Sequence, residues 1–209
     1  MSEYQYYEFQ AIDRPLSAKE MNVLRSYSSR ARITPTSFIV DYAWGELRGD
    51  VDAWMARYFD AFVHLTSWGT RVLKLGVPAS ALDLATAKLY CGGESASVRR
   101  KADTVVLSFR SEDEEGGEWI DGAGQLSSLI PLRGALERGD RRALYLGWLL
   151  RVQSGELDDA AVEPPVPPGL GERTAALEAL AEFLRIDGDL RQAHRGKASF
   201  LGRLTKAGL

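Results

Sequence analysis

The sequence predicts an α+β fold, a mixed β-sheet flanked by helices and followed by a helical C-terminal part. Strand-like and helix-like stretches alternate through the first 110 residues, which favours helices packed on a mixed or parallel sheet. After an acidic loop at 111–121, apolar residues recur at three- and four-residue steps, the helical period. The composition, 45% apolar and 26% charged over 209 residues, is that of a folded chain with material for a core of useful size. Four parts follow: 1–110 with the sheet, the 111–121 loop, a helical part at 122–194 with a proline-rich connector at 162–171, and a basic tail at 195–209.

Residues 4–12 form the first strand, dense in aromatics, with Tyr7, Phe9 and Ala11 on one face and Tyr6, Glu8 and Gln10 on the other. Ser17 and Glu20 have the spacing of a capping box, opening a helix through about residue 30 with Met21, Leu24 and Tyr27 inward. A second strand starts near Ile33 and covers 38–42, with Pro35 marking a bend or a sheet edge. Asp50 caps a helix whose apolar positions Val51, Trp54, Met55, Tyr58, Phe62 and Leu65 keep helical spacing; His64 flanks that stripe. Residues 70–77 alternate as a strand, 82–90 suit a short helix, and 103–110 form a strand running into the acidic loop. Leu126, Leu129 and Ile130 precede Pro131, and Asp140 caps a helix carrying Leu144, Trp148, Leu149 and Val152. The four prolines of 162–171 exclude regular helix, and Thr174, or an acid beside it, opens a last helix with Leu177, Leu180, Ala181 and Leu184 inward.

Two histidines and one cysteine restrict the chemistry. His64, His194 and Cys91 cannot make a Cys/His zinc site, a CxxC redox pair or a disulfide framework. His64 reads as structural, His194 as facing water, and Cys91 as inert, with no histidine near it to act as base. Gly92-Gly93 and Gly116-Gly117 are turn signals outside any phosphate-binding pattern, and no GxSxG elbow occurs. No catalytic, cofactor-binding or metal-ligating residue is assigned, and no cofactor is expected. No run approaches the roughly 18 apolar residues of a membrane span, and the opening MSEYQYYEFQ lacks an export signal, so the expected setting is cytoplasmic.

Net charge is −3 but unevenly spread. Glu112, Asp113, Glu114, Glu115, Glu118 and Asp121 crowd one loop, which lacks the ligand order of an EF-hand and reads as solvated. Trp119 within it either folds back on the core or awaits a partner. In the tail, Phe200, Leu201 and Leu204 share a helical side among Arg195, Lys197, Arg203 and Lys206, which makes these seven residues, with Trp119, partner-binding candidates. Arg99, Arg100 and Lys101 precede a strand, and with Tyr4 and Tyr6 they are nucleic-acid candidates, because base stacking beside backbone charge holds single strands. The residues 164–168, Pro-Pro-Val-Pro-Pro, read as a stiff connector more readily than as a polyproline II ligand.

The phrases YYEFQAIDRPL, SRARITPTSF, SLIPLR, GDRRALYLGWLL and EPPVPPGL together resemble a family of bacterial proteins. That resemblance runs to about Asp189 and implies no activity, cofactor or site residue. Longer members of the family continue into an arginine- and lysine-rich helical region, and the ending KASFLGRLTKAGL is similar to the close of such a region. Proteins carrying SWIM-type zinc fingers have a similar ending, which implies a nucleic-acid-related setting. The expectation is a non-enzymatic interaction or accessory subunit, bound to another protein or to a second copy of itself. The alternatives are a nucleic-acid accessory protein and, more weakly, a carboxylate-based metal-dependent hydrolase.

Overall fold

Aromatic alternation makes β1 (Gln5–Gln10) a strand, and both of its faces are buried. The computed structural model describes residues 4–113, 121–158, 160–172 and 174–188. After β1 come α1 (Ala18–Arg25), β2 (Arg32–Thr34), β3 (Ser37–Tyr42), α2 (Val51–Arg57), β4 (Ala61–Thr66) and β5 (Arg71–Pro78). The order continues with α3 (Leu84–Tyr90), β6 (Ala96–Lys101), β7 (Thr104–Ser111), α4 (Gln125–Leu129), α5 (Pro131–Glu137), α6 (Arg142–Gln153) and α7 (Ala175–Phe183). The strands form one sheet in the order β2-β3-β1-β4-β5-β7-β6. The α+β class holds, with helices on the sheet and a helical C-terminal part; the sheet itself is antiparallel at every pairing rather than mixed.

The cause is a set of hairpins. β2 with β3, β4 with β5, and β6 with β7 are each adjacent in the chain and in the sheet, and an antiparallel neighbour needs only a short turn. Three of these arms were hidden in the sequence: β2 and β3 read there as one strand bent at Pro35 but pair as a hairpin, and neither β4 nor β6 was seen. The segment read as one helix from Val51 to Leu65 is α2 followed by β4: the helix ends at Tyr58, and the Asp60 carboxylate accepts hydrogen bonds from the Ile12 and Asp13 amides at 2.6 and 3.0 Å. His64 therefore lies on a strand, paired with Tyr7 of β1. Arg99, Arg100 and Lys101 belong to β6, at the edge of the sheet, instead of preceding a strand.

Helix starts follow the capping chemistry in the sequence. Ser17 and Glu20 form the full capping box of α1, while Asp50, Asp83 and Thr174 accept from the amides of Ala53, Thr86 and Leu177. Asp140 accepts from the Arg142 amide, although Arg141 takes the N-cap position of α6.

The sheet separates two apolar layers. On one face Leu73, Leu75, Leu107 and Phe109 pack with Leu129, Leu144, Trp148 and Leu180 from the later helices. At Gly147 of α6 a Cβ would lie 2.7 Å from the Phe109 ring and 2.9 Å from Cys91 Sγ, so only glycine lets this helix come so close. On the opposite face Phe9, Phe38, Trp54, Phe59 and Phe62 form a smaller aromatic layer under α1 and α2. Phe9 is its centre, with ring centroids of Phe62, Phe59 and Trp54 at 4.4, 5.0 and 5.2 Å.

Phe62→Ala removes a fully packed ring from that layer. The expected loss is about 3–5 kcal/mol, read by urea denaturation; a loss below about 1 kcal/mol would mean that the aromatic layer is not what holds this half together.

Candidate functional site

Of the described side chains, the thiol of Cys91 and the imidazole of His64 are both buried. Cys91 is fully buried under α6 with its thiol toward the Leu144 carbonyl at 3.8 Å, and burial pushes its pKa up to about 12. A thiol held in that form is no nucleophile. His64 stacks on Tyr7 at a centroid distance of 4.2 Å, and its Nε2 lies 3.0 Å from Gln5 Oε1. That amide oxygen also accepts from Tyr7 Oη at 2.6 Å, which makes His64 Nε2 the donor. Burial first, then the charge of Arg110, lowers the imidazole pKa to about 4, so the ring is neutral at physiological pH. Among the described residues no three His, Cys, Asp or Glu side chains gather as a metal-ligand set. No described helix is long and apolar enough to cross a membrane.

The nucleic-acid candidates do not form one surface. Tyr6 is 4% exposed, its hydroxyl donates to Glu8 at 2.9 Å, and Gly122 lies so close over its ring that an added Cβ would sit 2.2 Å away. Tyr4 is half-buried against the same apolar layer. Neither offers a stacking platform. In β6 the alternation places Arg99 and Lys101 with Ser97 on the α1/α2 side of the sheet and Arg100 on the other, where its Nε donates to the Ala102 carbonyl. Three strands, β4, β5 and β7, separate β1 from β6. Trp119, His194 and the tail residues Arg195, Lys197, Phe200, Leu201, Arg203, Leu204 and Lys206 lie outside the described residues.

Two other features come together on the α1/α2 side. The first is a hollow of about 490 Å³ at the β3 end of the sheet, where Tyr27, Tyr42 and Trp44 stand with Arg30, Arg48 and Glu46. Trp44 is 67% exposed, while Tyr27 rests edge-on against Trp54 of the core. The second is a smaller cleft of about 100 Å³ near the β6 edge, lined by Asp52 of α2 and by Lys74, Ser97, Arg99, Lys101, Val106 and Ser108 of the sheet. Sequence reasoning missed both: the second is assembled by the pairing of β5, β7 and β6, and the first by the segment after α1 meeting the segment that follows β3. The signal available for the first was a tryptophan among Gly45, Glu46 and Arg48 directly after a strand.

The proline-rich connector is held down by Tyr90 Oη, which donates to the Pro165 carbonyl at 2.7 Å, and by Tyr145 Oη, which donates to Glu163. Arg185 Nε lies 3.7 Å from Asp113 at the start of the acidic loop, and its Nη1 donates to the Gly69 carbonyl. In comparisons with known proteins, no family model, no curated protein and no solved structure matches the chain.

The neutral His64 has a measurable consequence. Its folded pKa lies below the ordinary 6.5, so as pH falls the unfolded chain takes up this proton first and stability drops between about 6.5 and 4. His64→Phe keeps a ring on Tyr7 without the titration, and should reduce the loss of stability between pH 7 and pH 4.5 by about 2 kcal/mol in urea denaturation. Equal losses in wild type and variant would show that the imidazole protonates freely in the fold.

Proposed function

We propose that this protein is a non-enzymatic interaction subunit of a bacterial cytoplasmic system, and that it holds a protein partner at the hollow around Trp44. The carrying observation is that exposed tryptophan beside Tyr27 and Tyr42, with Arg30 and Arg48 on the same rim. Tryptophan, tyrosine and arginine are the residue types that dominate binding energy at protein interfaces, because they combine large apolar area with a directed polar group. Tyr27 and Tyr42 are braced from behind, by Trp54 and Tyr7, so part of the surface is already ordered before a partner arrives. The buried thiol and the neutral, buried imidazole support the non-enzymatic part of the reading.

The experiment is affinity capture from the host with wild type and with a Trp44→Ala, Arg48→Ala variant, followed by titration of the captured protein. Binding should persist at high ionic strength, as an apolar contact does, and the variant should weaken it at least tenfold while the thermal midpoint stays within about 2 °C. Unchanged affinity in the variant would overturn the assignment of the surface. A partner-free turnover measured with the purified chain would overturn the non-enzymatic reading.

A further inference from the structure

We infer that the cleft between α2 and the β5-β7-β6 face is a binding site for a phosphoryl oxyanion, a phosphate mono- or diester group. Strand register builds it. Lys74 pairs with Ser108 and Ser108 with Ser97, so an ammonium and two hydroxyls stand in one row across three adjacent strands. Two and four residues along β6 from Ser97, Arg99 and Lys101 project from the same face, opposite Val106 and Thr104. All five side chains on this face, Lys74, Ser97, Ser108, Arg99 and Lys101, line the cleft, with Asp52 as its single acid.

Charge and hydrogen bonding match such a group. Three cations against one carboxylate leave an excess of two positive charges, that of a phosphate near its second ionisation. Lys74, 17% exposed, is fixed by Asp52. Burial pushes the Asp52 carboxyl up, but the Lys74 hydrogen bond and the charges of Lys74, Lys101 and Arg99 outweigh it and hold the group below its ordinary value. Arg99, Lys101 and the Ser97 and Ser108 hydroxyls have no ion pair or hydrogen-bond partner of their own among the described residues. A guanidinium and two hydroxyls supply the forked and single donors that phosphoryl oxygens accept. At about 30 Å³ per water, a cleft of about 100 Å³ admits one group of a few heavy atoms and leaves the rest of the ligand outside.

Charge on an edge strand also blunts pairing with another chain. That purpose accounts for Arg99 and Lys101, which stand on edge strand β6, but not for Lys74 and Ser108 on interior strands converging with them.

The test is titration of the full chain with inorganic phosphate, glycerol phosphate and a single-stranded oligonucleotide, followed by amide NMR and calorimetry. Saturable shifts at Lys74, Ser97, Arg99 and Ser108, with affinity for at least one probe reduced tenfold or more in Arg99→Gln, Lys101→Gln at unchanged thermal midpoint, support the site. Preference for glycerol phosphate assigns a monoester, whereas preference for the oligonucleotide, competed by phosphate and falling steeply with salt, assigns a nucleic-acid backbone. No saturable shift with any probe, or equal affinity in the variant, overturns the inference. Ser97→Ala, Ser108→Ala is the second variant should the first unfold. Failure here leaves the partner reading intact, because the Trp44 hollow lies at the β3 end of the sheet, away from β6.

Discussion

Arg133 is the charge on which the two halves of this protein are joined. Its side chain is 7% exposed, and an unpaired guanidinium at that depth would be strongly unfavourable. The structure surrounds it with acceptors from separate places: the Gly76 carbonyl of β5 at 2.7 Å, Asp13 after β1 at 2.6 Å, and Glu137 one turn along α5 at 2.9 Å. These three positions must therefore be correct together. They set where α5 crosses β5, and α4, which ends where α5 begins at Pro131, is placed with it. Gly76 is satisfied on both sides, its carbonyl accepting from Arg133 and its amide donating to the Asp60 carbonyl.

Local chemistry was legible in the sequence wherever it was local in fact. The capping residues Ser17, Asp50 and Thr174, the aromatic alternation of β1 and the strand before the acidic loop all act within a few residues, and all appear as read. The error at 51–65 has a physical origin. Ala61, Phe62, Val63 and Leu65 are buried because β4 is covered on both faces, and such a strand is a continuous apolar run that also fits helical spacing. What ends α2 is Asp60, whose carboxylate is taken by amides 47 and 48 residues earlier. No window of sequence contains that bond.

The same reasoning explains the sheet. An alternation of four strands and three helices favoured parallel crossovers, but β4 and β6 were the unseen arms of hairpins and β2 was read with β3 as one bent strand; adding these three arms reverses the direction of each return. The β6-β7 turn lacks a glycine or asparagine signal. Ala102 itself takes a left-handed φ of 51°, where either of those residues would be the usual cue. Lys74 and Ser108 each looked ordinary in their own segment; the cleft they line arises only when pairing puts them beside Ser97 and Arg99.

The two faces of the sheet are covered unequally. The later helices consume one side of the sheet, and α1 and α2 cover the β1, β3 and β4 part of the other with an aromatic layer. Over β5, β7 and β6 that side is largely polar, with Val72 and Val106 buried at the margin of the aromatic layer. Polarity alone would be met by charges of mixed sign, which attract across strands. Instead Lys74, Arg99 and Lys101 share one cleft with Asp52 as its single acid, an excess of one sign that suits the anion inferred there. The Trp44 hollow has the complementary excess, apolar ring surface left to water. Both departures from what folding alone would favour lie on the less covered side, at its two ends.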